Sequence, residues 1–445
     1  MAAEVIDGPP IGTVTAPFEL RAPATLEETG LSEELITQLV IKLLHFTADC
    51  SGVEVARRLG LEFAVVEPIL ETLRRSHQCE VFGGGLLGAP SFRYRITDAG
   101  RRRAQLCLEH NQYVGFAPVP LSQYREYMTR FRQTSKRAVT PAAVRQAVSH
   151  LVLSDRVVNQ IGPAVASGHS LFVYGPPGNG KTAIAQALHD LLEGPIAIPH
   201  AIDVDGHTIR LFNPINHEPI PDAGADVWST EARLDRRWIL CRRPKVMVGG
   251  ELTMQSLDLA YSATTGFYSA PIQVLANGGL LLIDDFGRQA CSPRDMLNRW
   301  IVPLESRVDF LTLQGGQKFD MPFDVLMVFA TNIKPTELVD EAFLRRIQYK
   351  IVAESPTVQA FRDIFKGCCL QRELPYEDGL VETLLDRFYR PRGIALRGCQ
   401  PRDLIEQALS LAEYLGEPRQ LTAELLEAVC EGYFVDDAGS APMYA

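Results

Sequence analysis

Residues 170–188, SLFVYGPPGNGKTAIAQAL, constrain the fold more than any other part of the chain. An apolar run leads directly into Gly175-x-x-x-x-Gly180-Lys181-Thr182, and a helical pattern follows at once. Glycines let a backbone wrap so closely that its N–H groups converge on phosphate oxygens, and the next helix N-terminus favours negative charge. The segment therefore predicts a strand, a phosphate-binding loop and a helix within an α/β fold.

The side chains of this loop add their own chemistry. Lys181 is expected to place a positive charge on the outer phosphates, and the Thr182 hydroxyl to bind Mg²⁺. ATP and Mg²⁺ are therefore the expected ligands. The predicted nucleotide-binding residues of the loop are Gly175, Pro176, Pro177, Gly178, Asn179, Gly180, Lys181, Thr182 and Ala183.

A second, acidic element is found in residues 278–288, GGLLLIDDFGR. Its apolar run ends in Asp284 and Asp285, and open α/β sheets bind ligands at the carboxyl ends of their strands. We expect Asp284 to hold Mg²⁺ through water. Asp285 is expected to orient or deprotonate the attacking water.

Strands and helices alternate from about residue 140 to 353, which predicts a parallel sheet with crossover helices. One of these strands, DVLMVFATN, ends in the polar residue Asn332. Beyond Pro356 the pattern is helical, with periods over 357–370, 379–389, 401–415 and 422–434.

Composition narrows the class of protein. The chain has 445 residues and a net charge of −10, which gives no overall attraction to nucleic acid. No apolar run approaches the ~20 residues of a membrane span, and the start lacks a secretory signal pattern. The nine cysteines show no C-x-x-C pair and no zinc-ligand spacing. We therefore expect a cytoplasmic protein with reduced thiols and no membrane partner.

The N-terminal region predicts three helices, two strands joined by a Gly-rich loop, and a further helix. This order, with YRITDAGRRRA at 94–104, resembles a winged helix-turn-helix domain. The second helix of this motif, at 62–76, carries Glu62, Glu67 and Glu71 against Arg74 and Arg75. This excess of negative charge is unfavourable for a helix that faces DNA phosphates. A basic wing remains an alternative, so protein contact is favoured and DNA contact stays open. The residues of that wing would be Arg93, Arg95, Arg101, Arg102 and Arg103.

The segments GPPGNGKT, LLLIDD and VFATN together resemble the AAA+ ATPase superfamily over about residues 140–435. The resemblance implies a P-loop α/β core, with helices on both faces of a parallel sheet, and a C-terminal helical lid. It also implies that Asn332 is the first sensor, which helps to position the attacking water. The family usually has Asp-Glu where this chain has Asp284-Asp285, so the reach of the shorter carboxylate is left open.

Two further segments match the family. DEAFLRRI resembles the segment that presents an arginine to the next subunit's nucleotide; Arg346 aligns best and Arg345 is the alternative. CQPRDLIEQAL places Arg402 at the start of a lid helix, where the resemblance implies a second sensor. An arginine supplied by a neighbour requires a homo-oligomer, expected to be a ring of six subunits.

The predicted domains follow from these segments. They are a flexible tail at 1–27, a winged-helix domain at 28–112, a linker at 113–139, the AAA+ core at 140–353, the helical lid at 354–435 and a tail at 436–445.

Three functions stay open. The first is an ATP-hydrolysing ring that remodels a protein or protein assembly, with the winged helix as docking module; the chain also resembles bacterial AAA+ proteins described as chaperone-like. The second is a DNA-directed ATPase, such as a helicase loader or transcription activator. The third is an ATP-binding regulatory switch with little turnover. Phe267 and Tyr268 loosely resemble a substrate-gripping loop, with burial in the core as the alternative.

Overall fold

The computed structural model describes residues 20–83, 89–135, 139–221, 234–339 and 341–434. Residues 1–19 of the predicted tail at 1–27, the predicted tail at 436–445 and the Gly-rich loop at 84–88 lie outside these ranges. None of the helices in the described ranges has the length and apolar character that a membrane crossing needs. The chain forms two compact units. The first contains Met1–Arg137, Leu192–Leu281 and Asp295–Leu326, and the second contains Ala138–Leu191, Leu282–Arg294 and Met327–Ala445.

The predicted three helices, two strands and further helix of the N-terminal region are present as α2, α3, α4, β2, β3 and α5. Two elements are not predicted from the sequence: the short β1, which joins the two strands in a sheet of order β1-β3-β2, and α1, which lies at the end of the predicted tail, where the Thr25 side chain caps it. The elements are α1 (Leu26–Thr29), α2 (Glu33–Phe46), β1 (Cys50–Ser51), α3 (Gly52–Leu59), α4 (Phe63–Arg75), β2 (Cys79–Gly83), β3 (Arg93–Ile96), α5 (Asp98–His110), β4 (Val119–Pro120) and α6 (Leu121–Thr134).

The predicted linker contains a packed helix. In α6, Tyr124, Tyr127, Met128 and Phe131 lie three or four residues apart and are buried in the core of the first unit. Residues at this spacing share one face of a helix. The segment is therefore a core element rather than a spacer, and its basic residues Arg130 and Arg132 are exposed.

The remaining elements follow in chain order. The strands are β5 (Leu171–Tyr174), β6 (Ile196–Pro199), β7 (Ala201–Val204), β8 (His207–Arg210), β9 (Trp238–Cys241), β10 (Lys245–Val248), β11 (Ala260–Ser262), β12 (Phe267–Ser269), β13 (Leu280–Ile283), β14 (Val308–Thr312), β15 (Lys318–Pro322), β16 (Leu326–Thr331) and β17 (Tyr349–Val352). The helices are α7 (Pro141–Ala147), α8 (Asp155–Ser167), α9 (Lys181–Asp190), α10 (Ile272–Leu275), α11 (Pro293–Ser306), α12 (Pro335–Leu338), α13 (Glu341–Leu344), α14 (Val358–Gln371), α15 (Asp378–Leu384), α16 (Arg390–Arg392), α17 (Gln400–Leu415) and α18 (Ala423–Tyr433).

The main sheet has the strand order β10-β13-β16-β5-β17. Both β16 and β17 pair with β5 in parallel. Every residue of β13 and β16 is buried, which explains why these strands are continuous apolar runs rather than alternating ones. The phosphate-binding loop, the acidic pair and Asn332 follow β5, β13 and β16 in turn, and they meet in one cavity described below.

The insertion between α9 and β13 belongs to the first unit, and four of its strands form a second sheet together with β4, in the order β11-β12-β8-β7-β4. Tyr268 is buried there, and its hydroxyl accepts a hydrogen bond from the Gln314 N–H at 3.0 Å. The Phe267 ring is half-buried and packs edge-on against Tyr113. Of the two interpretations of this pair, the structure favours burial in the core, since Tyr268 is buried and Phe267 packs against the core of the N-terminal region.

Arg237 ties the insertion to the N-terminal region inside the first unit. Its side chain is 2% exposed and forms an ion pair with Asp235 at 2.8 Å. It also donates hydrogen bonds to the Thr29 carbonyl at 3.0 Å and to the Gln123 side chain at 3.1 Å. A buried charge is stable only when it is paired and hydrogen-bonded. The partners that satisfy Arg237 come from three distant segments of the sequence, so the network joins those segments.

Candidate nucleotide-binding site

The loop between β5 and α9 depends on glycine for its close turns. Gly175 has φ of 148°, and a Cβ there would lie 2.3 Å from the Ala353 carbonyl oxygen. Gly178 has φ of 77°, and a Cβ there would lie 2.5 Å from the Cys399 sulfur. Neither position accepts a side chain without movement of its neighbours. The helix α9 begins at the end of this loop, so its free N–H groups face the cavity that the loop borders.

Lys181 is held against the inside of the loop. Its Nζ donates hydrogen bonds to the carbonyl oxygens of Gly175 at 3.1 Å and Pro176 at 3.0 Å, and to Asn332 Oδ1 at 2.5 Å. Burial lowers the pKa of Lys181, while the nearby Asp285 and Asp284 carboxylates oppose that shift. The residue therefore carries a fixed, poorly solvated charge, which suits the binding of phosphate.

Thr182 and Asp284 form the oxygen pair that a magnesium ion needs. The Thr182 hydroxyl donates a hydrogen bond to Asp284 Oδ2 at 2.8 Å, and Asp284 Oδ1 accepts one from the Asp285 N–H at 2.9 Å. Within the described ranges no group of three or more His, Cys, Asp or Glu side chains could hold a metal ion alone. The donor set fits Mg²⁺, which is usually held by one or two protein oxygens together with water and substrate phosphates.

Asp285 has a left-handed backbone, with φ of 47°. Its Oδ1 accepts a hydrogen bond from Asn332 Nδ2 at 2.9 Å. Because Asn332 Oδ1 accepts from Lys181, the amide links the lysine to the carboxylate in one hydrogen-bonded chain. The three residues come from three different strand ends.

A cavity of about 680 Å³ lies at these strand ends, within the second unit. Gly175 and Pro176 are absent from its described wall, although their carbonyl groups hold Lys181. The predicted site residues that line it are Pro177, Gly178, Asn179, Gly180, Lys181, Thr182, Ala183, Asp284, Asp285, Asn332 and Arg402.

The three predicted arginines are placed differently. Arg402 lines the cavity at the start of α17, where it forms an ion pair with Asp403 at 2.8 Å. The wall, as far as the described residues form it, contains neither Arg345 nor Arg346. Arg345 pairs with Glu341 at 2.9 Å on the surface, and Arg346 is partly buried. The structure therefore brings Arg402 to this chain's own cavity. Arg345 and Arg346, the two candidates for the arginine presented to the next subunit, lie outside its described wall.

Part of the cavity wall has no counterpart among the predicted residues. It is mostly apolar, and its residues come from the segment before α8 and from α14. A Cβ added at Gly367 would meet no atom within 4 Å, so the helix leaves open space at that position. The residues of this part of the wall are His150, Leu151, Val152, Leu153, Asp363, Ile364, Gly367, Cys368 and Gln371.

Asn179 contacts the lid with its side chain. Its Oδ1 accepts a hydrogen bond from the Gly398 N–H at 3.2 Å, and the neighbouring Gly178 carbonyl accepts one from the Cys399 N–H at 2.7 Å. The Asn179 amide also donates to Ser355 Oγ at 3.4 Å. The P-loop is therefore joined directly to the segment that precedes α17, a role that the spacing of the motif does not reveal.

Comparison with known protein families gives two partial matches. Residues 154–205 match the family model of magnesium chelatase, subunit ChlI, and residues 357–432 match a domain of unknown function, DUF8689. No curated protein sequence matches the chain significantly.

Several solved structures share the general fold. One is NtrX from Brucella abortus in complex with ADP, at 15% identity, a TM-score of 0.39 and coverage of 73% of this chain and 62% of that one. Another is a RuvB mutant from Thermotoga maritima, at 14% identity, a TM-score of 0.37 and coverage of 68% and 73%. The chain thus spans less than two thirds of the NtrX chain, and these scores carry no argument about function.

The magnesium chelatase match covers β5, the P-loop and the helix that follows, which are the elements that hold Lys181 and Thr182. The remaining polar groups of the cavity lie outside that match, yet the same sheet carries them. Their placement agrees with the nucleotide site of an AAA+ core, and ATP with Mg²⁺ is its ligand. The sequence motifs, the family match over residues 154–205 and this geometry together give the chain the fold and the motifs of an AAA+ ATPase core.

Proposed function

We propose that this chain hydrolyses ATP in a homo-oligomeric ring and uses that cycle to remodel a protein or protein assembly. The observation that carries the hydrolysis is the chain of hydrogen bonds from Lys181 through Asn332 to Asp285. It couples the residue expected to meet the outer phosphate with the residue expected to act on water.

Each polar group of the cavity has a task in this proposal. Thr182 and Asp284 would hold Mg²⁺, which when bound supplies positive charge against the phosphate oxygens. Lys181 binds the outer phosphates, and Asp285 orients the attacking water and accepts its proton. Asp adopts a left-handed backbone more readily than Glu does. The Asp284-Asp285 sequence therefore agrees with the backbone at this turn.

Asp285→Asn should retain ATP binding and lose turnover, because an amide cannot accept a proton from water. We expect turnover to fall by roughly 10²–10⁴-fold, the usual contribution of a general base. Phosphate release and binding of a fluorescent ATP analogue measure the two effects separately.

Asp295→Asn is the matched control, since Asp295 is exposed on α11 outside the cavity. Normal turnover in Asp285→Asn would place the base elsewhere. Wild-type turnover no faster than that of a P-loop variant would favour the regulatory switch over the ATPase.

The charge of the N-terminal region favours a protein partner over DNA. Residues 28–112 contain eleven Asp and Glu against ten Lys and Arg. Six of the arginines pair with carboxylates of the same region, and Arg95 lies over the Phe82 ring at 3.5 Å. Phosphate recognition requires cations that are available to the ligand. The pairs are Arg57 and Arg58 with Glu54, Arg74 and Arg75 with Glu71, Arg93 with Asp49, and Arg103 with Glu34.

We therefore expect weak DNA binding by the full chain at physiological salt. Fluorescence anisotropy with a labelled duplex, repeated over a series of salt concentrations, measures this directly. An affinity that falls steeply with salt, by roughly 10³-fold or more between 50 and 200 mM, would instead support the DNA-directed alternative.

A further inference from the structure

The turn after β13 holds Asp285 in an uncommon conformation. Asp285 has φ of 47° and Gly287 has φ of 105°, so two residues of one turn depart from ordinary backbone geometry. The Phe286 between them is anchored, because its N–H donates to the Ala330 carbonyl and its carbonyl accepts from the Thr331 hydroxyl, both at 2.7 Å. A left-handed non-glycine residue persists only where its surroundings hold it in place.

The Gln289 side chain supplies much of that support. Its Nε2 donates hydrogen bonds to the carbonyl oxygens of Asp284 at 2.9 Å and Asp285 at 3.2 Å. Its Oε1 accepts one from the Gly287 N–H at 2.8 Å. One half-buried amide therefore binds three backbone groups of the turn and uses both its donor and its acceptor.

We propose that Gln289 is a positioning residue for ATP hydrolysis, which keeps the Asp285 carboxylate aimed at the attacking water by closing this turn. The inference rests on the proposed function of Asp285. Asn332 donates a hydrogen bond to the carboxylate itself, whereas the three hydrogen bonds of Gln289 described above are to the backbone beneath it. Gln289 therefore acts through Asp285.

Gln289→Met tests this role, since methionine has a similar length and cannot form the three hydrogen bonds. We expect kcat to fall by roughly 10–100-fold, because small misplacements of a catalytic group cost about that much. KM for ATP should stay within about two-fold, because the hydrogen bonds of this side chain described above hold the turn after β13 rather than the P-loop. Hydrogen exchange at the Gly287 amide should also become faster.

A double variant separates positioning from a general structural effect. Once Asp285→Asn has removed the base, adding Gln289→Met should change the residual turnover by less than about two-fold. The reason is that the effects of two substitutions on the same catalytic group are not additive. Gln420→Met, at an exposed position in the lid, serves as the control and should keep wild-type kcat.

Three results would overturn the inference: unchanged kcat in Gln289→Met, a full further loss in the Asp285→Asn background, or a defect cured by excess Mg²⁺. The last would mean that Gln289 acts through Asp284 and the metal. Wild-type turnover no greater than that of Lys181→Ala is a separate result, which would overturn the proposed function and this inference with it.

Discussion

Lys181→Ala should abolish useful nucleotide binding. The substitution removes the charge that Gly175, Pro176 and Asn332 now hold at the inner face of the loop. Loss of a buried, hydrogen-bonded charge from a binding site costs about 2–5 kcal/mol, which is roughly a 30- to 4,000-fold weaker affinity. Isothermal titration with ATP and Mg²⁺ measures the loss directly.

Lys334→Ala provides the matched control, because Lys334 is exposed just beyond Asn332 and lies outside the cavity wall. That variant should bind ATP as the wild type does. An unchanged affinity in Lys181→Ala, with an intact fold by circular dichroism, would remove the assignment of the P-loop.

The sequence predicts the sheet and its polar edge well for a physical reason. The strands that carry the site are buried apart from Tyr174 at the end of β5, so each is a short apolar run, and a glycine-rich loop or a polar residue follows it at once. A parallel sheet then brings those ends together without further information. The same argument explains why the helices of the lid follow the predicted periods closely: each has one apolar face over a small core.

The remaining features depend on contacts between distant segments. The wall at Leu151–Leu153 and Gly367 forms only when α14 packs near the P-loop, and nothing in either local sequence marks it. Gln289 is likewise an ordinary polar residue until the turn places two carbonyl groups and an N–H around its amide. The aromatic residues of α6 mark a buried helix by their spacing, but the prolines before them suggest a linker.

Assembly is where the expected effect is largest. Under the proposed function, Arg345 and Arg346, which lie outside the described wall of this chain's own cavity, would act on the nucleotide of another subunit. Turnover per subunit should therefore rise with protein concentration as rings form. A monomer with concentration-independent turnover would contradict the shared site.

Arg346→Ala should bind ATP normally and hydrolyse it poorly. An arginine supplied by a partner accelerates related GTPases by roughly 10³–10⁵-fold, and we expect a loss of at least about 10²-fold here. Arg345→Ala is the comparison, since the Arg345 side chain is committed to a surface pair with Glu341. If Arg345→Ala has near-normal turnover and Arg346→Ala has lost it, Arg346 is the arginine that acts on the neighbouring subunit.

Mixing the dead variants tests the mechanism most sharply. Arg346→Ala subunits keep an intact P-loop and acidic pair, and Lys181→Ala subunits keep an intact Arg346. Each preparation should be inactive alone. A mixed ring, however, contains interfaces at which the intact P-loop and acidic pair of one variant meet the intact Arg346 of the other. At equal amounts, random assembly makes about one interface in four competent, so recovery should approach a quarter of wild-type turnover if interfaces act independently. Two soluble, ring-forming variants that never rescue each other would exclude Arg346 and direct the same test to Arg345.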